Sequence, residues 1–183
     1  MRKLNAIITV LIMILFLMHL IWGGLILTGM TNGGNSIFAF FSYMLVIFIF
    51  FHVVIGIKFT IDTLRAARRS KTFYYKENKL FLIRRISGFA LLLFVLLHVV
   101  LFLGSSENGN YRLSYFGTLS LFTQILMVIS LLVHLVSNIT PLRIALGITD
   151  KVNIRTDIMF VLVILLFLSA IAFIIYFIRW QVI

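Results

Sequence analysis

The chain contains no cysteine. That single absence removes disulfides, thiolate-held iron–sulfur clusters, thiolate-ligated haem and covalent CxxCH haem attachment. Any metal site must therefore rest on histidine or oxygen ligands. Proline occurs once, and five acidic side chains stand against sixteen Lys and Arg. Charge is scarce altogether: 11% of the 183 residues are charged, where a soluble protein averages about 25%. No polar stretch separates off a soluble unit, so residues 1–183 are expected to form one membrane domain.

What fills the space is apolar: 62% of the residues are hydrophobic and the mean hydropathy is +1.17. A helix needs about 20 apolar residues to cross the hydrocarbon core. Five stretches qualify, at about residues 4–28, 37–64, 82–104, 114–139 and 156–178. None alternates as a strand would. Turn-forming joints separate them: Thr31 to Asn35, Arg65 to Lys79, Gly104 to Asn110, and Pro141 to Asn153. The expected fold is an all-α integral membrane bundle of five transmembrane helices. The first stretch, behind Arg2 and Lys3, is too long for a signal-peptide core and no A-x-A-like site follows it, so it is read as a span.

The net charge of +11 is topological. The basic residues sit at the ends of apolar runs and do not form the face of a nucleic-acid-binding fold, so no nucleic-acid partner is expected. With the N-terminus in the cytoplasm, fourteen of the sixteen Lys and Arg fall on the cytoplasmic side, leaving Arg112 and Arg179 outside. The positive-inside rule then predicts N-terminus in and C-terminus out.

The four histidines are His19, His52, His98 and His134, one on each of the first four stretches. An imidazole in hydrocarbon is costly unless its nitrogens find partners, so such residues mark function or interhelical hydrogen bonds. Depth sharpens the choice, because a helix rises about 1.5 Å per residue and successive helices run in opposite directions. His19 and His98 fall past the middle of outward-running helices. His52 and His134 fall past the middle of inward-running ones. Two layers of two result, separated by roughly 10 to 18 Å. Two stacked b-type haems suit that spacing, each clamped by two neutral imidazoles, His19 with His98 and His52 with His134. A bis-histidine ligand set fills both axial positions and favours electron transfer over oxygen or substrate chemistry.

Small residues near the histidines, Gly23, Gly24, Gly56 and Ser130, would admit a flat macrocycle, or serve ordinary helix packing. Lys58, Arg84, Arg85 and Arg143 are candidate partners for haem propionates at the cytoplasmic end.

These residues resemble a known family, the di-haem cytochrome b membrane anchor of succinate dehydrogenase and fumarate reductase in its single-chain, five-helix form. The resemblance spans nearly the whole chain. It is carried by Phe51-His52-Val53-Val54-Ile55-Gly56, by Arg84-Arg85-Ile86-Ser87-Gly88 ten residues ahead of His98, by His134-Leu135-Val136-Ser137-Asn138, and by Gly147-Ile148-Thr149. It implies that His19 and His98 bind the haem distal to the soluble subunits and that His52 and His134 bind the proximal one, the pairing already given by depth. It further implies a flavoprotein and an iron–sulfur subunit docked on the cytoplasmic face, against the segment from Arg65 to Lys79 and the loop from Pro141 to Arg155. A dimer of such heterotrimers is one assembly it allows, in a bacterial cytoplasmic membrane.

Electrons would pass between the iron–sulfur subunit, the two haem b groups and a membrane quinone, menaquinone in much of this branch. The quinone site is expected near the distal haem, with Asn35, Ser36, Glu107, Tyr111 and Arg112 as candidates. One departure stands out. Some fumarate reductases of the family carry a glutamate two positions before the fourth histidine, linked to proton movement; here that position is Leu132. The acids in or near spans are Asp62 and Asp157, both toward the cytoplasmic interface, so quinone protons are expected to exchange with the outer side.

Three alternatives stay open on the sequence. One is a di-haem cytochrome b serving another quinone-linked enzyme, such as formate dehydrogenase or nitrate reductase. Another is a transporter with proton-relaying histidines, although broken helices and inverted repeats are not visible. The last is a bare anchor whose histidines pair only with each other.

Overall fold

A computed structural model of the chain describes residues 2–32, 36–70, 75–103, 106–107, 110–111, 115–148 and 152–182. Five long helices dominate it: α1 (Arg2–Thr28), α2 (Ser36–Ser70), α3 (Tyr75–Phe102), α4 (Thr118–Ala145) and α5 (Val152–Val182). Each is long and apolar enough to cross a membrane. Between α3 and α4, β1 (Ser106–Glu107) and β2 (Asn110–Tyr111) pair antiparallel, a two-residue hairpin too short to have shown as alternation.

The helices outrun the expected spans at several ends. α2 carries six residues further, through Arg65, Arg68 and Arg69, because Ala66 and Ala67 favour helix and a helix leaving the bilayer meets no charge penalty. At 35 residues α2 is about 52 Å long, well beyond a hydrocarbon core of about 30 Å. α4 starts four residues later than expected, after an extended Gly117, and runs through Pro141 to Ala145. Both α1 and α4 end where a glycine takes positive φ, Gly29 and Gly147. In each case the next amide reaches back to close the helix, Met30 N–H to the Leu25 carbonyl at 2.9 Å and Ile148 N–H to the Arg143 carbonyl at 3.0 Å, the αL glycine stop that caps orphan carbonyls.

Cross-helix hydrogen bonds give the directions. Thr9 meets His52 and His19 meets Ser42, so α1 and α2 are antiparallel. Ser87 meets His134 and His98 meets Gln124, so α3 and α4 are antiparallel too. Arg179 donates to the Leu27 carbonyl at 2.9 Å, which brings the C-terminal end of α5 to that of α1. The end that holds the start of α1 is called lower below.

Packing is uneven. α1 lies on α2, α3 on α4, and α5 seals α4 to α1, but α2 and α3 are not among the packed pairs. The buried apolar cluster, Leu27, Phe116, Val128, Leu166, Ala172, Phe173 and Tyr176, sits in the upper half around α5. Large apolar side chains such as Ile21, Phe50, Val100 and Phe167 point outward, as lipid-facing residues do. The space enclosed by α1 to α4 is hollow.

Candidate functional site

That hollow is one cavity of about 2270 Å³, beyond the roughly 300 to 1,000 Å³ of an ordinary ligand pocket. All four histidines line it. The His19 and His98 rings lie 6.0 Å apart between centroids, with planes at 78°. The His52 and His134 rings lie 6.4 Å apart, with planes at 90°. The pairs join α1 to α3 and α2 to α4, at two heights. On α1, the residue touching the lower pair is Thr9 and the member of the upper pair is His19, ten positions on, so the layers are about 15 Å apart.

These distances bear on what could sit between the rings. Metal–histidine bonds measure about 2 Å in zinc sites, and an imidazole centroid lies about 1.1 Å behind its ligating nitrogen. Two such arms in line put centroids about 6.3 Å apart, which brackets with the two observed values. No group of three or more metal-ligating side chains occurs among the described residues, so a bare zinc ion would lack its usual four ligands. A metal that brings its own equatorial ring needs only the two histidines offered in each layer.

The hydrogen bonds choose the nitrogen. In every ring it is Nδ1 that has a side-chain partner: Ser42 at 3.0 Å for His19, Thr9 at 3.3 Å for His52, Gln124 at 2.8 Å for His98 and Ser87 at 3.3 Å for His134. The three hydroxyls donate their own protons to main-chain carbonyls one turn back, Ser42 to Phe38, Thr9 to Asn5 and Ser87 to Arg84. Each oxygen is left to accept, so Nδ1 donates in the His19 and His52 rings, whereas His134 Nδ1 has both the Ser87 hydroxyl and the Asn138 NH₂ beside it, the amide nitrogen at 3.5 Å. Nε2 has no side-chain hydrogen bond in any of the four among the described residues, and where Nδ1 donates it carries the lone pair. Orienting hydrogen bonds at one ring nitrogen with the other free to ligate is the usual design of a metal-binding histidine.

Glycines shape the walls. A Cβ at Gly23 or Gly24 would meet nothing within 4 Å, so the backbone there faces open cavity. At Gly88 a Cβ would come within 3.2 Å of Cε1 and 3.5 Å of Nδ1 of His134; only a hydrogen leaves that ring its place. Ser130, by contrast, does not line the main cavity. It belongs to a shallow pocket in the α3–α4 seam with Ser87 and Val133.

The charged residues gather at the lower end. Arg84, Arg85 and Arg143 line the cavity, together with Asn5 and Asp62. Arg85 donates to the Gly56 carbonyl at 3.3 Å, lies 5.0 Å over the Phe81 ring, and keeps a buried Nε with no hydrogen-bond partner. That orphaned donor fits a carboxylate guest. Lys58 is exposed on α2 and is not part of the lining.

Of the residues named for a quinone, Ser36 opens α2, is exposed, and lies outside the lining. Glu107 and Tyr111 belong to the hairpin, paired with Asn110 and Ser106. Asn35 and Arg112 lie outside the described residues, as does Thr149. Aromatic side chains do line the upper cavity: Trp22 stacks on Phe38 at 3.9 Å and Phe102 lies 4.9 Å from the His98 ring.

Sequence reasoning missed Thr9, Ser42, Ser87 and Gln124 as ring partners. Ser87 was in view within the Arg84 to Gly88 stretch, but no local signal marks a hydroxyl as facing an imidazole on another helix. Searches for likeness found no family model, no curated protein and no solved structure that matches this chain.

Proposed function

We propose that the chain is a di-haem cytochrome b that anchors a succinate dehydrogenase or fumarate reductase complex in the membrane and carries electrons between its iron–sulfur subunit and quinone. The observation that carries the haem reading is the geometry of the two imidazole pairs. Both have the separation expected across a bis-histidine iron, Nδ1 held in every ring and Nε2 turned to no protein side chain. His19 and His98 would hold the upper haem, His52 and His134 the lower.

When bound between these histidines, iron porphyrin would supply one-electron transfer. The protein's own part is to orient the imidazoles through Ser42, Gln124, Thr9 and Ser87, to exclude water with the aromatic and aliphatic lining, and to offer guanidinium donors to propionates. Arg85 and Arg84 serve the lower haem in this reading, since charge-assisted bonds to carboxylates are the strong ones. The basic lower end then faces the cytoplasm under the positive-inside rule, with the C-terminus outside. A flavoprotein and an iron–sulfur subunit would dock there. Quinone, menaquinone by the family likeness, would react beside the upper pair, where Trp22, Phe38 and Phe102 offer flat apolar surface.

The test is a reduced-minus-oxidised spectrum of the purified protein with haem extraction. Two b-type haems per chain are expected; their absence defeats the reading. Co-purification of a flavoprotein and an iron–sulfur protein then selects this complex, whereas a molybdopterin partner would reassign the chain to a formate- or nitrate-linked enzyme.

A further inference from the structure

Among the four ring partners, Gln124 differs in kind. It is fully buried, at 0% exposure, on a helix facing hydrocarbon on its other side. Its contact with His98 Nδ1, 2.8 Å, is the shortest of the four. It presents a carboxamide oxygen, where the nearest side-chain partner of each other ring is a hydroxyl.

The orientation of that amide is set by its neighbour. Thr123 donates its hydroxyl proton to the Ser120 carbonyl at 2.8 Å, so the Thr123 oxygen is an acceptor for the Gln124 NH₂ at 3.4 Å. The amide oxygen is thereby aimed at His98, and His98 Nδ1 must donate. A carboxamide oxygen is intrinsically a stronger acceptor than a hydroxyl oxygen, its NH₂ bond to Thr123 polarises it further, and its contact with the ring is the shorter one. Drawing on the Nδ1 proton raises the basicity of the far nitrogen.

We infer that Gln124 is a positioning residue which makes His98 the most electron-donating of the four imidazoles and so lowers the reduction potential of the upper haem. The inference rests on the di-haem reading. A more basic axial ligand stabilises the ferric state, and outer hydrogen bonding is a recognised lever on haem potential. Ser42, on the opposite ring of the same layer, contributes the weaker share. A purely structural role, tying α3 to α4 through a membrane-buried hydrogen bond, would change stability and leave the potential where it was.

Redox titration of the purified chain, followed in the haem spectrum, separates these. Two b-type haems in the unaltered protein must be seen first; if none is bound, the di-haem reading itself is lost. With both present, Gln124→Met is expected to raise the midpoint of one haem by about 59 mV, a tenfold change in a one-electron equilibrium, and to leave the other unmoved. Gln124→Glu keeps an oxygen at the same reach and is expected to bring that midpoint to or below its original value. Ser42→Ala should shift the same haem by less than Gln124→Met does. If Gln124→Met loses the upper haem, retention of both haems with an unraised midpoint in Gln124→Glu supports the inference, and loss there as well overturns it. It is also overturned if Gln124→Met moves neither midpoint, moves both equally, or is matched by Gln124→Glu.

Discussion

The upper and lower histidine pairs use the same local device and sit in different surroundings. Around His19 and His98 the neighbours are Phe102, Phe173 and the fully buried Gln124, backed by the apolar cluster that α5 completes. Around His52 and His134 the lining includes Arg84, Arg85, Arg143, Asn5 and Asp62. One layer is walled by aromatic side chains and a neutral amide; the other opens toward a mouth that carries three arginines and Asp62. Burial and charge act on a bound metal group by separate routes, desolvation in one layer and Coulomb attraction in the other. On the proposed reading, two chemically alike histidine pairs could in this way be given unlike potentials without any change of residue.

On the proposed di-haem reading, the strongest way to break that comparison is to remove one histidine at a time. His52→Ala or His134→Ala should abolish the lower haem and keep the upper, while His19→Ala or His98→Ala should do the reverse. Haem content would fall to about half in each case if both axial bonds are needed. Loss of both haems from every single substitution would mean the layers are not independent.

Next in size is Gly88→Val. The first added carbon already comes within 3.2 Å of His134, and the two methyls beyond it force the ring or the helix to move, at about 1 to 3 kcal/mol. Thermal release of the lower haem at reduced temperature is expected, with the upper haem unchanged. Equal loss of both would show a global packing failure in place of a local one.

Arg85→Leu probes the charge difference directly. A guanidinium near a haem favours the reduced, less positive form, so its removal should lower the midpoint of the lower haem. At an effective dielectric of about 20 the effect is roughly 1 kcal/mol, about fivefold in equilibrium constant. A shift confined to the upper haem would contradict the assignment of the cationic mouth to the lower layer.

The smallest effect is expected from Ser87→Ala. Interhelical hydrogen bonds in membrane proteins average about 0.6 kcal/mol, and Asn138 still lies 3.5 Å from His134 Nδ1. The lower haem should stay bound with only a slight change of midpoint. Its complete loss would make the serine indispensable to ring orientation.

Much of this arrangement was legible from the chain alone. Five apolar runs, one histidine on each of the first four, and the helical rise were enough to sort His19 with His98 and His52 with His134. The observed ring pairs are the same. The role of Gly88 and the ring partners was not legible. Thr9 and His52 are 43 residues apart, and Ser87 and His134 are 47. Whether such residues meet depends on how each helix is rotated about its axis, which local pattern does not state in a segment apolar on every face. Lys58 shows the same limit. Its depth suited a carboxylate partner, but its azimuth on α2 turns it outward.

By itself, then, the amino-acid order determined the number of spans and the heights of the imidazoles, because hydropathy and rise per residue are properties of a single helix. Tertiary packing decided the rest: which hydroxyl or amide holds each Nδ1, which arginines reach the cavity, and that α2 and α3 stand apart to leave it open. Those features arise only when separate helices fix their mutual rotation and register, and no residue carries that information alone.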